Sequence, residues 1–213
     1  MSDSRRRRAR SLAIGLAAFA LLCWQFPLFH VVPLAEAHAD HGGRGQGSEA
    51  IARRFWEQQL LPAADRATDG KELLDALAGD ASAARRRFGH NFGISDKTLF
   101  FFGGTALVTA IEPEAVVVAL EGSTREVRLS STLVFGNRVR DASGLLDVGA
   151  YASSRDFNEL SAKLNHLVET QVTPRLREGA VRGKRLRFAA CAELAASSTP
   201  PSLPAIAVKV EWL

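Results

Sequence analysis

The sequence predicts an α+β fold, and two observations support this prediction. Apolar residues recur with helical spacing up to residue 88, alternate as in strands from Leu99, return to helical spacing near Asp156, and alternate again towards the C-terminus. After Leu99 the elements therefore come in the order three strands, one helix, two strands. This is the order of an OB-fold, a five-stranded barrel with a plug helix between strands 3 and 4. An open α+β sheet is the alternative.

The N-terminal segment indicates export and membrane attachment. Five of the first ten residues are arginine, and the 23 residues from Leu12 to Leu34 contain no Asp, Glu, Lys or Arg. About 20 apolar residues suffice for a spanning helix, and clustered basic residues stay on the cytoplasmic side. We therefore expect a cytoplasmic basic arm at 1–11 and a transmembrane anchor or signal segment at 12–34. The protein would cross the cytoplasmic (inner) membrane once, with its folded domain in the periplasm.

Two other fates of this segment are open. Ala37-His38-Ala39 matches a signal-peptidase site, and cleavage there would make Asp40 the new N-terminus. Cys23 ends the main apolar run, as the lipidated cysteine of a bacterial lipoprotein does. Leu22 stands where Gly, Ala or Ser is usual, so a retained anchor is favoured over lipidation at Cys23. The polar, Gly-rich residues 35–47 predict a flexible linker to a domain at 48–213.

The charge distribution argues against nucleic-acid binding by the folded domain. The first 39 residues hold five of the 27 basic side chains and two of the 23 acidic ones, so the remainder carries 22 against 21, a net charge of +1. Nucleic-acid binders need a basic surface, because contacts with phosphates supply much of their affinity. The basicity of this chain lies mostly in the arm.

Two amphipathic helices are predicted between residues 48 and 88. The apolar stripe of the first comprises Ile51, Phe55 or Trp56, Leu60 and Ala63. Pro62 bends or ends that helix. Asp69 or Gly70 opens the second, and Gly79 weakens its middle enough to split it.

The predicted elements after residue 98 are five strands and one helix. The strands cover 99–111, 115–120, 125–136, 183–194 and 205–213, and the helix begins with a capping box at Asp156 and Glu159 and ends at Gly179. Gly103-Gly104 predicts a bulge or a sharp coil inside the first strand. Cys191 follows the alternating pattern of the fourth strand, which predicts a small core residue without a disulfide partner.

A family resemblance rests mainly on residues 135–165. Its motifs are Gly136, the pair Arg140-Asp141, the pair Phe157-Asn158 opening a helix, and the pair Leu164-Asn165. In this order they resemble a bacterial family of predicted periplasmic lipoproteins, domain-of-unknown-function family 2291. The stretches "FPLFHVVPL" and "ARRFW" are similar too, so the resemblance covers nearly the whole chain. Genes of the family tend to lie beside sugar-type ABC transporter genes, which implies an accessory role and ABC transporter components as partners.

The same segment supplies the candidate residues for ligand or partner binding. It connects the third strand to the helix and so crosses the mouth of the predicted barrel, where concave sites form. The candidates are Asn137, Arg140, Asp141, Asn158 and Asn165. We expect Arg140 and Asp141 to point apart and to hold separate loops or helix ends. Asn158 and Asn165 are two helical turns apart, where they either bind a polar ligand together or bond backbone groups.

No motif identifies a reaction. The sequence lacks a G-x-S-x-G elbow, a phosphate-binding glycine loop and Cys/His metal spacing. We therefore predict no catalytic residue, no metal and no cofactor. The predicted function is a membrane-tethered periplasmic accessory protein that binds or scaffolds a partner. An OB-fold nucleic-acid-binding protein and a hydrolase with an unfamiliar active site are the alternatives, although the second and third strands lack aromatic stacking platforms.

Overall fold

The computed structural model describes four stretches of the chain. They are residues 47–91, 96–146, 154–196 and 202–213. The predicted arm, the anchor, the cleavage motif and Cys23 lie outside the described residues. Among the described residues, none of the helices is long and apolar enough to cross a membrane.

The described elements include the predicted ones in their predicted order, together with two short strands and one helical turn that were not predicted. The strands are β1 (Thr68–Asp69), β2 (Gly89–His90), β3 (Lys97–Ile111), β4 (Ala115–Leu120), β5 (Glu126–Ser130), β6 (Arg185–Ala195) and β7 (Ser202–Trp212). Helix α1 is described from residue 47, passes through a π-helical turn at Trp56–Leu60 and ends with Leu61–Ala64. It is followed by α2 (Gly70–Gly79), α3 (Ala81–Phe88) and the single turn α4 (Arg138–Asp141). Helix α5 comprises Ser154–Leu167, a π-helical turn at Val168–Val172 and Thr173–Gly179.

Five strands close into a ring. Strand β3 pairs antiparallel with β4, β4 with β5, β6 with β7, and β6 again with β3, whereas β5 pairs parallel with β7. Helix α5 connects β5 to β6, the third and fourth strands of this ring. The predicted order is therefore confirmed, and the sheet is closed rather than open. The short strands β1 and β2 pair with the first half of β3, outside the ring.

Strand β3 pairs with two neighbouring strands, and a glycine allows its close approach to β6. Residues 97–107 pair with β6 and residues 106–111 pair with β4. The register runs unbroken through Gly103 and Gly104, so the bulge expected there is wrong; the irregularity lies between Val108 and Ala110. A Cβ on Gly103 would collide with the carbonyl oxygen of Phe188 on β6. The glycine is needed for this close approach of two backbones.

The helices before the ring differ from the prediction in two ways. Ala52 rather than Ile51 lies in the buried stripe of α1, and the π-helical turn lets both Phe55 and Trp56 be buried. The second predicted helix is split after Gly79, as its sequence suggested. Asp80 then caps α3, its Oδ1 accepting hydrogen bonds from the backbone N–H groups of residues 82 and 83 at 2.9 Å each.

Helix α5 contributes its apolar face to the same core as the strands. Leu160, Leu164, Val168 and Val172 are buried and Phe157 is half-buried, as predicted. The helix begins at Ser154, two residues before the predicted capping position. It ends at Gly179 as predicted.

One continuous hydrophobic core joins the ring, α5 and the N-terminal helices. Its largest fully buried side chains include Trp56, Phe100 and Phe102, and the Phe102 and Phe188 rings meet edge to face at 6.0 Å between centroids. Cys191 lies within this core, as its alternation predicted. Burial raises the pKa of its thiol, which keeps the group protonated and unreactive.

Candidate interaction site

The predicted pair Arg140 and Asp141 forms a buried ion pair. Arg140 Nε donates to Asp141 Oδ1 at 2.6 Å, and Arg140 Nη2 donates to Asp141 Oδ2 at 2.8 Å. Both residues are 3% exposed. The expectation that they point apart is wrong, because they lie on the helical turn α4 rather than on a strand. There the long arginine side chain folds back onto its neighbour in a bidentate arrangement.

The third nitrogen of Arg140 reaches α5. Its Nη1 donates to the backbone oxygen of Phe157 at 3.0 Å, and its guanidinium carbon lies 3.4 Å from the centroid of the Phe157 ring. Ser161 Oγ donates to the same backbone oxygen at 3.4 Å. Arg140 and Asp141 therefore act together as a clamp between α4 and the first turns of α5. We call these two residues the clamp.

The chain between β5 and α4 is fastened to α5 along its length. We call residues 131–137 the docking segment. Asn165 Nδ2 donates to the backbone oxygen of Gly136 at 2.9 Å, and the Val134 N–H donates to Glu169 Oε1 at 2.7 Å. Near the C-terminal end of α5, Arg177 Nη1 donates to the backbone oxygen of Ser131 at 3.4 Å. Three side chains of one helix thus hold an irregular backbone in place.

The docking segment exposes two large apolar side chains. Ser131 and Val134 face inward and are buried, whereas Leu133 is 65% and Phe135 69% exposed. The sequence predicted strand up to residue 136, but β5 ends at Ser130, and the order of buried and exposed side chains over 131–136 is not that of a strand.

Three of the five predicted site residues, Arg140, Asp141 and Asn165, are buried and bond groups of the protein itself. Asn137 is exposed at the N-cap position of α4 and makes no capping bond with its side chain. Asn158 is also exposed, although Arg140 bonds the neighbouring Phe157.

Sequence reasoning missed Leu133, Phe135 and Glu169. Leu133 and Phe135 carried no signal of exposure, because the predicted strand would have placed both on the buried face of Val127 and Leu129. Glu169 gave no signal, because its partner lies 35 residues away. Within the described ranges no group of three His, Cys, Asp or Glu side chains could hold a metal ion.

Comparisons with known proteins define the family. The sequence profile described as "Predicted periplasmic lipoprotein (DUF2291)" matches residues 16–211. The chain belongs to this family. The match confirms the resemblance drawn from the motifs at 135–165. It includes the clamp, the docking segment and all of the ring strands except Trp212. No curated protein matches the chain.

A solved structure supports the fold independently. The chain is similar to a crystal structure of an OB-fold protein from Thermotoga maritima, with a TM-score of 0.68 and 22% identity. The alignment covers 78% of this chain and 98% of that protein. At this identity the likeness establishes the fold and carries no function. The DUF2291 chain is therefore an α+β protein whose five-stranded ring resembles an OB-fold.

Proposed function

We propose that this DUF2291 protein is a membrane-tethered periplasmic accessory module that binds a protein partner through its docking segment. The observation that supports this is the exposure of Leu133 and Phe135 on a backbone held by three bonds to α5. Its role is to bind and position rather than to catalyse.

The energetics favour a binding role for these two side chains. Burying a Leu or Phe side chain at an interface stabilises a complex by about 1.5–3 kcal/mol. A flexible loop would lose much of that gain on ordering, whereas this segment is ordered before it binds. Central apolar anchors on rigid backbone are typical of interface hot spots.

The proposed partner is a protein of the same membrane. The family resemblance points to components of a sugar-type ABC transporter, and tethering both proteins to one membrane raises their effective concentration. Nucleic acid is a poorer candidate, since β4 and β5 contain no aromatic residue on which bases could stack.

The proposed tether is the N-terminal segment. The arm at 1–11 would stay in the cytoplasm, the anchor at 12–34 would be retained, and the linker at 35–47 would connect it to the domain at 48–213. Fusing a reporter after Leu213 tests this topology. We expect activity from a reporter that works only in the periplasm and none from one that works only in the cytoplasm; the reverse pattern would refute it.

Site-specific photocrosslinking tests the docking segment in cells. A photoreactive phenylalanine analogue at position 135 should form one protein adduct, which we expect to be a transporter component. The matched control is position 181, because Val181 is 58% exposed in the α5–β6 loop.

A second measurement separates binding from chance crosslinking. Phe135→Ser should weaken co-purification of the crosslinked protein by about tenfold or more, the effect expected for about 1.5–3 kcal/mol of lost burial. Its melting temperature should match that of the parent, and Val181→Ser should bind normally. Lipid adducts alone, or equal protein adducts at both positions, would overturn the proposed partner.

A further inference from the structure

A polar niche lies against strands β3, β6 and β7. Its volume is about 490 Å³, and its lining includes Asp65, Gly103, Thr105, Arg187, Ala189 and Lys209. None of these residues belongs to the clamp or to the docking segment. Its volume falls within the range of small-molecule sites, about 300–1,000 Å³.

Cross-strand pairs form the floor of the niche. Thr105 lies opposite Arg187, which lies opposite Glu211, and the next row is Gly103, Ala189 and Lys209. Residues directly opposite one another project from the same face of a sheet. Because Gly103 and Ala189 carry almost no side chain, the second row leaves a depression between the larger residues.

The connection from α1 to β1 forms the wall. It is held at one end by the ion pair of Lys209 Nζ with Asp65 Oδ1, at 2.6 Å. At the other end Thr68 pairs with Phe102 on β3. The connection therefore crosses from β7 to β3, and Ala64, Ala67 and Asp69 face the depression beneath it.

The positively and negatively charged side chains that line the niche are not all paired with one another. Lys209 Nζ is shared by Asp65 and by Glu211, whose Oε1 lies 3.4 Å away. Glu211 is the cross-strand neighbour of Arg187, yet the Arg187 side chain makes no ion pair or hydrogen bond with any residue that the structure describes. The niche therefore offers one open guanidinium. Of its three carboxylates, those of Asp65 and Glu211 share Lys209, whereas Asp69 Oδ1 accepts a hydrogen bond from the Glu72 N–H at the start of α2.

From this arrangement we infer that the niche binds a small zwitterionic solute carrying a carboxylate and an ammonium group. The ligand carboxylate accepts a bidentate pair of hydrogen bonds from Arg187. The ammonium group lies towards Asp65 and Asp69, where carboxylates outnumber cations. This site is independent of the docking segment, so either proposal can fail without the other.

Calorimetric titration of the full chain with ω-amino acids, from glycine to 6-aminohexanoate, tests the inference. Butyrate and butylamine serve as probes that carry only one of the two charges. We expect saturable binding of at least one amino acid, about tenfold or more tighter than that of either single-charge probe, which corresponds to about 1.4 kcal/mol or more of binding free energy.

Variants locate the binding. Arg187→Gln should weaken binding of the amino acid by about tenfold or more, or about 1.4 kcal/mol of binding free energy. The control Arg125→Gln removes an equal charge from the exposed β4–β5 turn and should leave the affinity unchanged. Thr105→Phe places a larger side chain suited to strands on the floor of the niche beside Arg187, and it should abolish binding with an unchanged melting temperature. Absence of saturable binding by every amino acid, equal binding by butyrate, or full binding by Arg187→Gln would each overturn the inference.

Discussion

Two ion pairs of this protein have the same length and very different surroundings. Arg140 Nε lies 2.6 Å from Asp141 Oδ1, and Lys209 Nζ lies 2.6 Å from Asp65 Oδ1. The side chains of the first pair are 4% and 5% exposed, and those of the second are 28% and 62% exposed. The first pair joins α4 to α5, whereas the second holds the wall of an open niche.

The comparison teaches that burial decides how much the rest of the fold depends on a charge pair. Water solvates either member of the Lys209–Asp65 pair when its partner is lost, so such pairs contribute little to stability. Inside the clamp no water replaces the missing partner, and the remaining charge is stranded in a low dielectric. A short distance alone therefore does not measure the effect of a mutation.

The largest expected effect is at the clamp. Arg140→Ala or Asp141→Ala should lower the free energy of unfolding by about 3–5 kcal/mol, because each leaves an uncompensated buried charge. Urea denaturation measures this. The double substitution of Arg140→Met with Asp141→Leu, which removes both charges and puts apolar side chains in their place, should recover most of the loss. Single variants as stable as the parent would show that α4 and α5 do not need the pair.

A smaller effect is expected where α5 holds the docking segment. Asn165→Ala should lower the free energy of unfolding by about 0.5–1.5 kcal/mol, since it removes the hydrogen bond that this buried side chain donates to the backbone oxygen of Gly136. Glu169→Ala removes the acceptor of the Val134 N–H, and amide hydrogen exchange should report faster exchange at Val134.

Thr170→Ala is the matched control for the docking segment. Thr170 Oγ1 donates only to backbone oxygens of its own helix, at 2.8 Å and 3.5 Å. This variant should leave exchange at Val134 unchanged. Equal protection of the Val134 amide in the parent, Glu169→Ala and Thr170→Ala would mean that the docking segment is ordered by its own packing and not by α5.

The smallest effect is expected at Lys209. The hydrogen bond that Lys209 donates to Asp65 raises the pKa of this lysine above its ordinary value of 10.5. A raised pKa means that the pair stabilises the folded state fully below pH 10.5 and loses that contribution as the pH rises through the folded pKa. Lys209→Ala should therefore lower the free energy of unfolding by at most about 1 kcal/mol at neutral pH.

The pH dependence of the Lys209 effect is the sharper measurement. The difference in unfolding free energy between the parent and Lys209→Ala should shrink towards zero above pH 10.5. If the difference in unfolding free energy grows with pH, or equals that of the clamp variants, the exposed pair and the buried pair do not differ in the way that their burial predicts.

Local patterns predicted the elements well for a physical reason. Leu160, Leu164 and Val168 recur with helical spacing, and Ile206, Val208 and Val210 alternate, because each element must bury one face. Asp69 and Gly79 marked the start and end of α2 correctly, since capping and backbone freedom act within a few residues. The prediction that Ile51 is buried was wrong, because the buried stripe of α1 runs through Ala52, Phe55 and Trp56 instead.

Long-range pairing was decided only by the tertiary structure. The sequence alone determined the order of strands and helices, the family and most of the core, because these depend on local periodicity and on short motifs. It named Arg140, Asp141 and Asn165 but not their partners, since Gly136 and Phe157 meet them only after α5 packs on the ring. The niche forms because β3, β6 and β7 pair in register and the connection from α1 crosses over them, which places Asp65 beside Lys209. Charge and burial at such sites follow from packing, and packing is a property of the whole fold.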